Sequence, residues 1–146
     1  MDRILCAVDF SEGAPLVLKQ ALNLAALSGG NVEVVHVCNV PPYFGPELMV
    51  WVDAGSTPLS QVAEEAARAR LAALLAELTP EERARTTTSI EFGPPADALL
   101  RVAKDRESNL IVMGTHGRTG LGHVMLGSVA ERVVRSSHCP VLVVRP

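Results

Sequence analysis

The chain has 146 residues, a formal net charge of −3, 48% apolar residues and only 3% aromatic ones. That length suits a single domain over residues 1–146 with an aliphatic core of Val, Leu, Ile and Ala, and the acidic balance argues against nucleic acid as a partner, because phosphate contacts need a basic face. No apolar run approaches the roughly 20 residues of a membrane span, and the apolar run near the N-terminus is too short for a signal peptide and meets Asp9 at once, so no membrane association and a cytoplasmic location are expected.

Residues Arg3 to Val8 form a compact apolar run, read as a first strand buried on both faces. Asp9-Phe10-Ser11 ends it, and Ser11 is the expected N-cap of a helix that tolerates Pro15 in its first turn. That helix runs through Leu16, Leu18, Ala21, Leu22, Leu24, Ala25 and Leu27 until Ser28-Gly29-Gly30 stops it. Asn31 to Val37 is a second strand, rich in β-branched residues. Pro41 to Pro58 carries four prolines, Tyr43 and Trp51 without clear periodicity, and reads as a loop or lid. A long helix follows from about Leu59 to Leu78, with Ala63, Ala66, Ala67, Leu71, Leu74, Leu75 and Leu78 on its inner face. Thr79-Pro80-Glu81-Glu82 breaks it.

Thr86 to Phe92 is a third strand, polar and hence expected near a sheet edge. After Gly93-Pro94-Pro95 a third helix spans Ala96 to Arg106, with Leu99, Leu100, Val102 and Ala103 inward. Asn109 to Met113 is a fourth, buried strand. Val129 to Arg135 has helical spacing, and Cys139 to Val144 closes the chain as a fifth strand. Strands alternating with helices give an α/β fold, an open parallel five-stranded sheet with helices on both faces. The three cysteines, Cys6, Cys38 and Cys139, lie on or beside strands in no C-x-x-C pair, and read as small buried hydrophobes in a reducing compartment.

Between the fourth strand and the last helix lies Gly114 to Ser128, GTHGRTGLGHVMLGS. Glycines let backbone N–H groups approach an anion closely, and a helix N-terminus adds free donors and the positive end of a dipole. Ser128 is placed to cap that helix or to offer its hydroxyl to a phosphate. The segment has no P-loop lysine, since Ser128 stands in that place, and no Gly-x-Gly-x-x-Gly follows the strand. In an open doubly wound sheet the ligand sits beyond the carboxyl ends of the strands where strand order reverses. If the first and fourth strands are neighbours, Asp9 and Gly114 face each other across that point.

The spacing Gly114-x2-Gly117-x9-Gly127-Ser128 resembles the ATP-binding motif of the universal stress protein family. Ala7-Val8-Asp9-Phe10-Ser11 is similar to that family's first-strand motif, and His36-Val37 to its adenine-contacting strand end. The resemblance extends from there to the terminal Cys139-Pro140-Val141-Leu142-Val143-Val144, and is poorest over Pro41–Pro58. It implies strand order 3-2-1-4-5, as in adenine nucleotide alpha hydrolase-like folds, with ATP or a related adenine nucleotide and Mg²⁺ in the cleft. It also implies a homodimer, for which the terminal strand Val141–Val144 is the expected edge, and leaves room for a further protein partner. The nucleotide-binding set it implies is Ala7, Val8, Asp9, Phe10, Ser11, Val37, Met113, Gly114, Thr115, His116, Gly117, Arg118, Gly127, Ser128 and Val129. By its residues alone Asp9 is as well read as a turn acid as it is a partner of ribose, adenine or Mg²⁺.

The other ionisable residues carry less. Arg118 and His116 can meet a phosphate or stand idle, and His36 and His138 are expected at strand or helix ends without chemistry. Glu64, Glu65, Arg68 and Arg70 read as the wet face of the long helix. No residues show metal-ligand spacing. Two functions are therefore expected to compete. One is an ATP-holding regulator or sensor in a stress response. The other is a slow ATPase or phosphotransferase, for which the chain offers a cradle but no loop lysine and no evident base.

Overall fold

A computed structural model of the chain describes residues 2–39, 48–52, 55–115 and 126–145. Its elements are β1 (Arg3–Ala7), α1 (Ala14–Ser28), β2 (Asn31–Cys38), β3 (Met49–Val52), β4 (Gly55–Pro58), α2 (Leu59–Leu75), α3 (Pro80–Ala84), β5 (Thr86–Phe92), α4 (Pro95–Asp105), β6 (Leu110–Gly114), α5 (Ser128–Ser136) and β7 (Val141–Val144). The main sheet has five strands in the order β5-β2-β1-β6-β7, every pair parallel. Counted within this sheet alone, that is the expected 3-2-1-4-5.

Strand alternation sorts the side chains into two layers. Ile4, Cys6, Val32, Val34, Leu110 and Val112 face one core with α1 residues Val17, Leu18, Ala21 and Leu22 and with Leu71 of α2. Leu5, Val35, Ile111 and Met113 face the other, with Leu99 and Val102 of α4 and Ala130 and Val133 of α5. The central strands β1 and β6 are covered on both sides, so they carry nearly unbroken apolar runs. Each fully buried Leu or Ile contributes about 1.5–3 kcal/mol of transfer free energy, and Ile4, Leu5 and Ile111 are all at or below 1% exposure. The polar β5 lies at one edge, as expected, and β7 at the other.

Several boundaries differ from expectation for local reasons. The N-cap of α1 is Gly13, not Ser11, and no side chain caps it. The Ser11 carbonyl instead accepts the Ala14 N–H, so the chain turns before the helix begins. Gly29 ends α1 in the left-handed region at φ 70°, and its N–H meets the Ala25 carbonyl. Residues 49–52 and 55–58, expected within a loop, pair as antiparallel strands with Met49 opposite Pro58 and Val50 opposite Thr57. That pairing is independent of the main sheet, and the Leu59 N–H bonds to the Leu48 carbonyl, so β4 leads directly into α2.

Helix α2 ends at Leu75, three residues before Leu78. Its buried positions are Ala67 and Leu71, with Ala63, Leu74 and Leu75 half-buried, while Ala66 is exposed, off the i, i+4 stripe. The break after it holds a short helix. Thr79 caps α3 through its hydroxyl to the Glu82 N–H while the Glu82 carboxylate reaches back to the Thr79 N–H.

Candidate functional site

Register builds the site from the sheet centre. β1 pairs with β6 as Ile4–Leu110, Leu5–Ile111 and Cys6–Val112. The strands are parallel neighbours, so the turn that follows β1 at Val8-Asp9 and the Gly114-Thr115 end of β6 both lie at the carboxyl edge of the sheet. β2 lies on one side of β1 and β7 on the far side of β6, so this is where the winding reverses.

The expected site residues divide by face. Ala7, Val37 and Val129 pack with buried Met113 against the core on the α4–α5 side. Val8 and Phe10 pack toward α1 on the opposite side. Four candidates from three strands and α5 thus share one apolar layer. His116, Gly117 and Arg118 lie outside the described residues.

The turn after β1 is closely determined. The Val8 N–H continues the ladder to the Val35 carbonyl at 3.0 Å. The Asp9 carboxylate accepts the Ser11 N–H at 3.0 Å, an Asx turn. Between them Phe10 adopts φ 58°, a left-handed conformation that costs a non-glycine residue of order 1 kcal/mol or more. Asp9 therefore serves the turn, the local role weighed for it from the sequence, and the turn in turn fixes where its carboxylate stands.

The ends of the glycine segment are also fixed. The Gly127 N–H donates to the Thr115 carbonyl at 2.8 Å, and the Thr115 N–H donates to the Val144 carbonyl at 3.1 Å. Thr115 is buried at 8% exposure. The N-cap of α5 is Gly127, and Ser128 is its first helical residue rather than its cap. The first bond of that helix is Glu131 N–H to Gly127 carbonyl. The amides of Ser128, Val129 and Ala130 precede the ladder, and such amides point out of a helix N-terminus. These are the donors a phosphate group uses.

Sequence reasoning missed what surrounds the turn after β1. His36 is not at a quiet strand end. It is buried at 8% exposure, with Nδ1 at 2.9 Å from the Val8 carbonyl and its ring centroid 4.2 Å from that of Phe10. The alternation Val32, Val34, His36, Cys38 in β2 was the signal that its side chain faces a core. Arg70 is exposed, as expected of the wet face of α2, and from there holds its guanidinium 5.5 Å from the centroid of the Phe10 ring, at cation–π distance. His138 is exposed in the bend after α5. Among the described residues no group of three or more His, Cys, Asp or Glu is arranged to hold a metal ion, and no helix is long and apolar enough to cross a membrane. Cys6 and Cys38 are buried and Cys139 is half-buried, and none of the three is in a disulfide.

Comparison with known proteins agrees with this architecture. The family model described as "Universal stress protein family" matches residues 1–145. The chain is 34% identical to universal stress protein MJ0531 of Methanocaldococcus jannaschii over 98% of its own length and 81% of the relative's. It is 34% identical to a Thermus aquaticus universal stress protein over 97% of both. Among solved structures, that of MJ0577, also from Methanocaldococcus jannaschii, superposes with a TM-score of 0.79 at 28% identity, covering 99% of this chain and 96% of that one. A universal stress protein in complex with cAMP shares the fold at a TM-score of 0.61 and 22% identity, covering 98% of this chain and 95% of that one.

Proposed function

The chain belongs to the universal stress protein family, and from that premise we propose that it holds ATP where β1 and β6 end and acts as a nucleotide-dependent regulator in a stress response. The observation that carries this reading is the Gly127–Thr115 hydrogen bond at the end of β6, the parallel neighbour of β1, whose own end carries the turn of Asp9. Ala7, Val37 and Met113 would wall the adenine. Asp9 would meet the ribose or base, or a Mg²⁺ carried by the phosphates. The amides of Ser128 and Val129, with those of the glycine segment, would take the phosphates.

The competing reading is an enzyme. When bound, ATP supplies a phosphoanhydride bond whose cleavage needs charge stabilisation that grows in the transition state. The amides at the start of α5 act on the ground state as much as on the transition state. Among the described candidates only Asp9 could add more, and one of its oxygens already accepts from Ser11. Occupancy without rapid turnover follows, which suits a sensor of the cytoplasmic nucleotide pool. A homodimer through Val141–Val144 would place two such sites in one assembly, because the Thr115 amide is bonded to the Val144 carbonyl.

The test is to denature the purified protein and identify any released nucleotide by mass spectrometry. Release of an adenine nucleotide near one per chain is the expected result. ATP turnover, measured on protein freed of contaminating ATPases, is expected to stay well below one per second. A rate near one per second that vanishes in Asp9→Ala would establish the enzyme instead.

A further inference from the structure

We propose that His36 and Phe10 are positioning residues for the nucleotide-binding turn, acting from the opposite side of the sheet, so that the imidazole and the aromatic ring together determine where Asp9 stands. The inference rests on the nucleotide reading of that turn and deepens it. The Val8 carbonyl cannot donate, so His36 Nδ1 carries the proton of their 2.9 Å hydrogen bond. That bond fixes the last carbonyl before Asp9. His36 itself is held by its place in β2, which is paired on both sides, and by burial.

Phe10 follows Asp9 and is held on two sides. Its ring lies 4.2 Å from the His36 ring, tilted by 36°, and 5.5 Å from the Arg70 guanidinium. A residue at φ 58° stays there only when its surroundings over-determine it. The tilted aromatic pair and the cation–π contact supply that determination. Asp9 is thus clamped between a fixed carbonyl before it and a fixed ring after it, and its carboxylate is aimed by the Ser11 N–H. None of the clamping groups lies on the face where Ala7, Val37 and Met113 gather. They shape the site without lining it.

The experiment compares His36→Leu, His36→Asn and Phe10→Ala with the wild-type chain by three measurements. The Asn amide can place a donor where Nδ1 stands, whereas Leu cannot. Calorimetry with Mg-ATP, at a temperature where circular dichroism shows each variant folded, should give roughly tenfold weaker binding for His36→Leu and Phe10→Ala, the loss expected of one hydrogen bond or ring contact. His36→Asn should stay within about threefold of wild type. Hydrogen exchange at the Ser11 amide, without nucleotide, should accelerate in the first two variants and not in His36→Asn. ¹⁵N NMR of the wild type should show His36 protonated at Nδ1.

A purely structural role would lower the melting temperature of all three variants with no difference in affinity or Ser11 exchange, and would overturn the proposal. So would a wild-type His36 protonated at Nε2 alone, even if His36→Leu fails to fold. If the wild type binds no adenine nucleotide while Ser11 exchange responds as described, the nucleotide reading fails and the positioning role stands.

Discussion

The amide of Gly127 and the carbonyl of Thr115 meet at 2.8 Å, on either side of segment 116–126. One hydrogen bond thus joins the residue immediately after β6 to the residue immediately before α5. The backbone of Gly127 sits at φ −60° and ψ 153°, a region open to any residue. Conformation alone does not require glycine there. Gly127→Val should therefore leave the fold intact by circular dichroism while its side chain obstructs phosphate approach. Calorimetry with Mg-ATP should show affinity reduced by a hundredfold or more, of order 3 kcal/mol. Gly117→Val should behave alike, and wild-type affinity in both variants would remove the segment from the site.

Asp9 carries two duties that substitution can separate. Asp9→Ala removes the acceptor of the Ser11 N–H and should cost about 0.5–1.5 kcal/mol of stability in urea denaturation. Asp9→Asn keeps an acceptor at that position and should retain nearly wild-type stability. Both variants should bind Mg-ATP more weakly than wild type. Wild-type affinity for Asp9→Asn would mean that the carboxylate serves the turn alone.

The thiols should respond to pH and to alkylation according to depth. Burial pushes the Cys6 thiol from 9.0 up to about 12. Because the folded value is the raised one, the associated stability is complete below pH 9 and is lost as pH rises from there toward 12. The loss attributable to Cys6 should approach 1.4 kcal/mol per pH unit within that window. Urea denaturation of wild type and Cys6→Ala at pH 8 and pH 10 reads it as a difference in slope. At pH 8, iodoacetamide should reach half-buried Cys139 in the native protein and leave Cys6 and Cys38 untouched until unfolding.

Leu142 tests the proposed dimer. It lies on edge strand β7 with 37% of its surface exposed. Leu142→Lys should leave the monomer fold unchanged and shift sedimentation at micromolar concentration to monomer. A wild-type chain that sediments only as monomer would refute the interface outright.

The sheet was legible because its central strands are apolar without interruption, as in residues 4–8 and 110–113, and because glycine and proline punctuate the helices at Gly29 and Pro95. That the Asp9 turn and Thr115 follow adjacent strands at the carboxyl edge of the sheet was legible too, because strands alternating with helices run parallel. What escaped was tertiary. The pair Met49–Val52 and Gly55–Pro58 is two short strands whose pairing depends on each other rather than on a long pattern. The capping box of Thr79 and Glu82 was written in the sequence but hidden by Pro80, which reads as a breaker and is equally at home in a first helical turn. His36 was discounted because polar residues default to the surface, yet the fold buries it against Phe10, whereas Arg70 stays on the exposed face of α2 as expected.

The two margins of the sheet are chemically unlike. Thr86-Thr87-Thr88-Ser89 lines the β5 margin, with the Glu91 carboxylate paired to Arg101, whereas Val141-Leu142-Val143-Val144 lines the β7 margin. A molecule adhesive at both margins could add copies without limit and grow into a ribbon. Adhesion at β7 alone saturates after one two-fold pairing, leaving the hydroxyl-rich β5 margins facing outward in water. In the proposed dimer, only the apolar β7 margins would be covered.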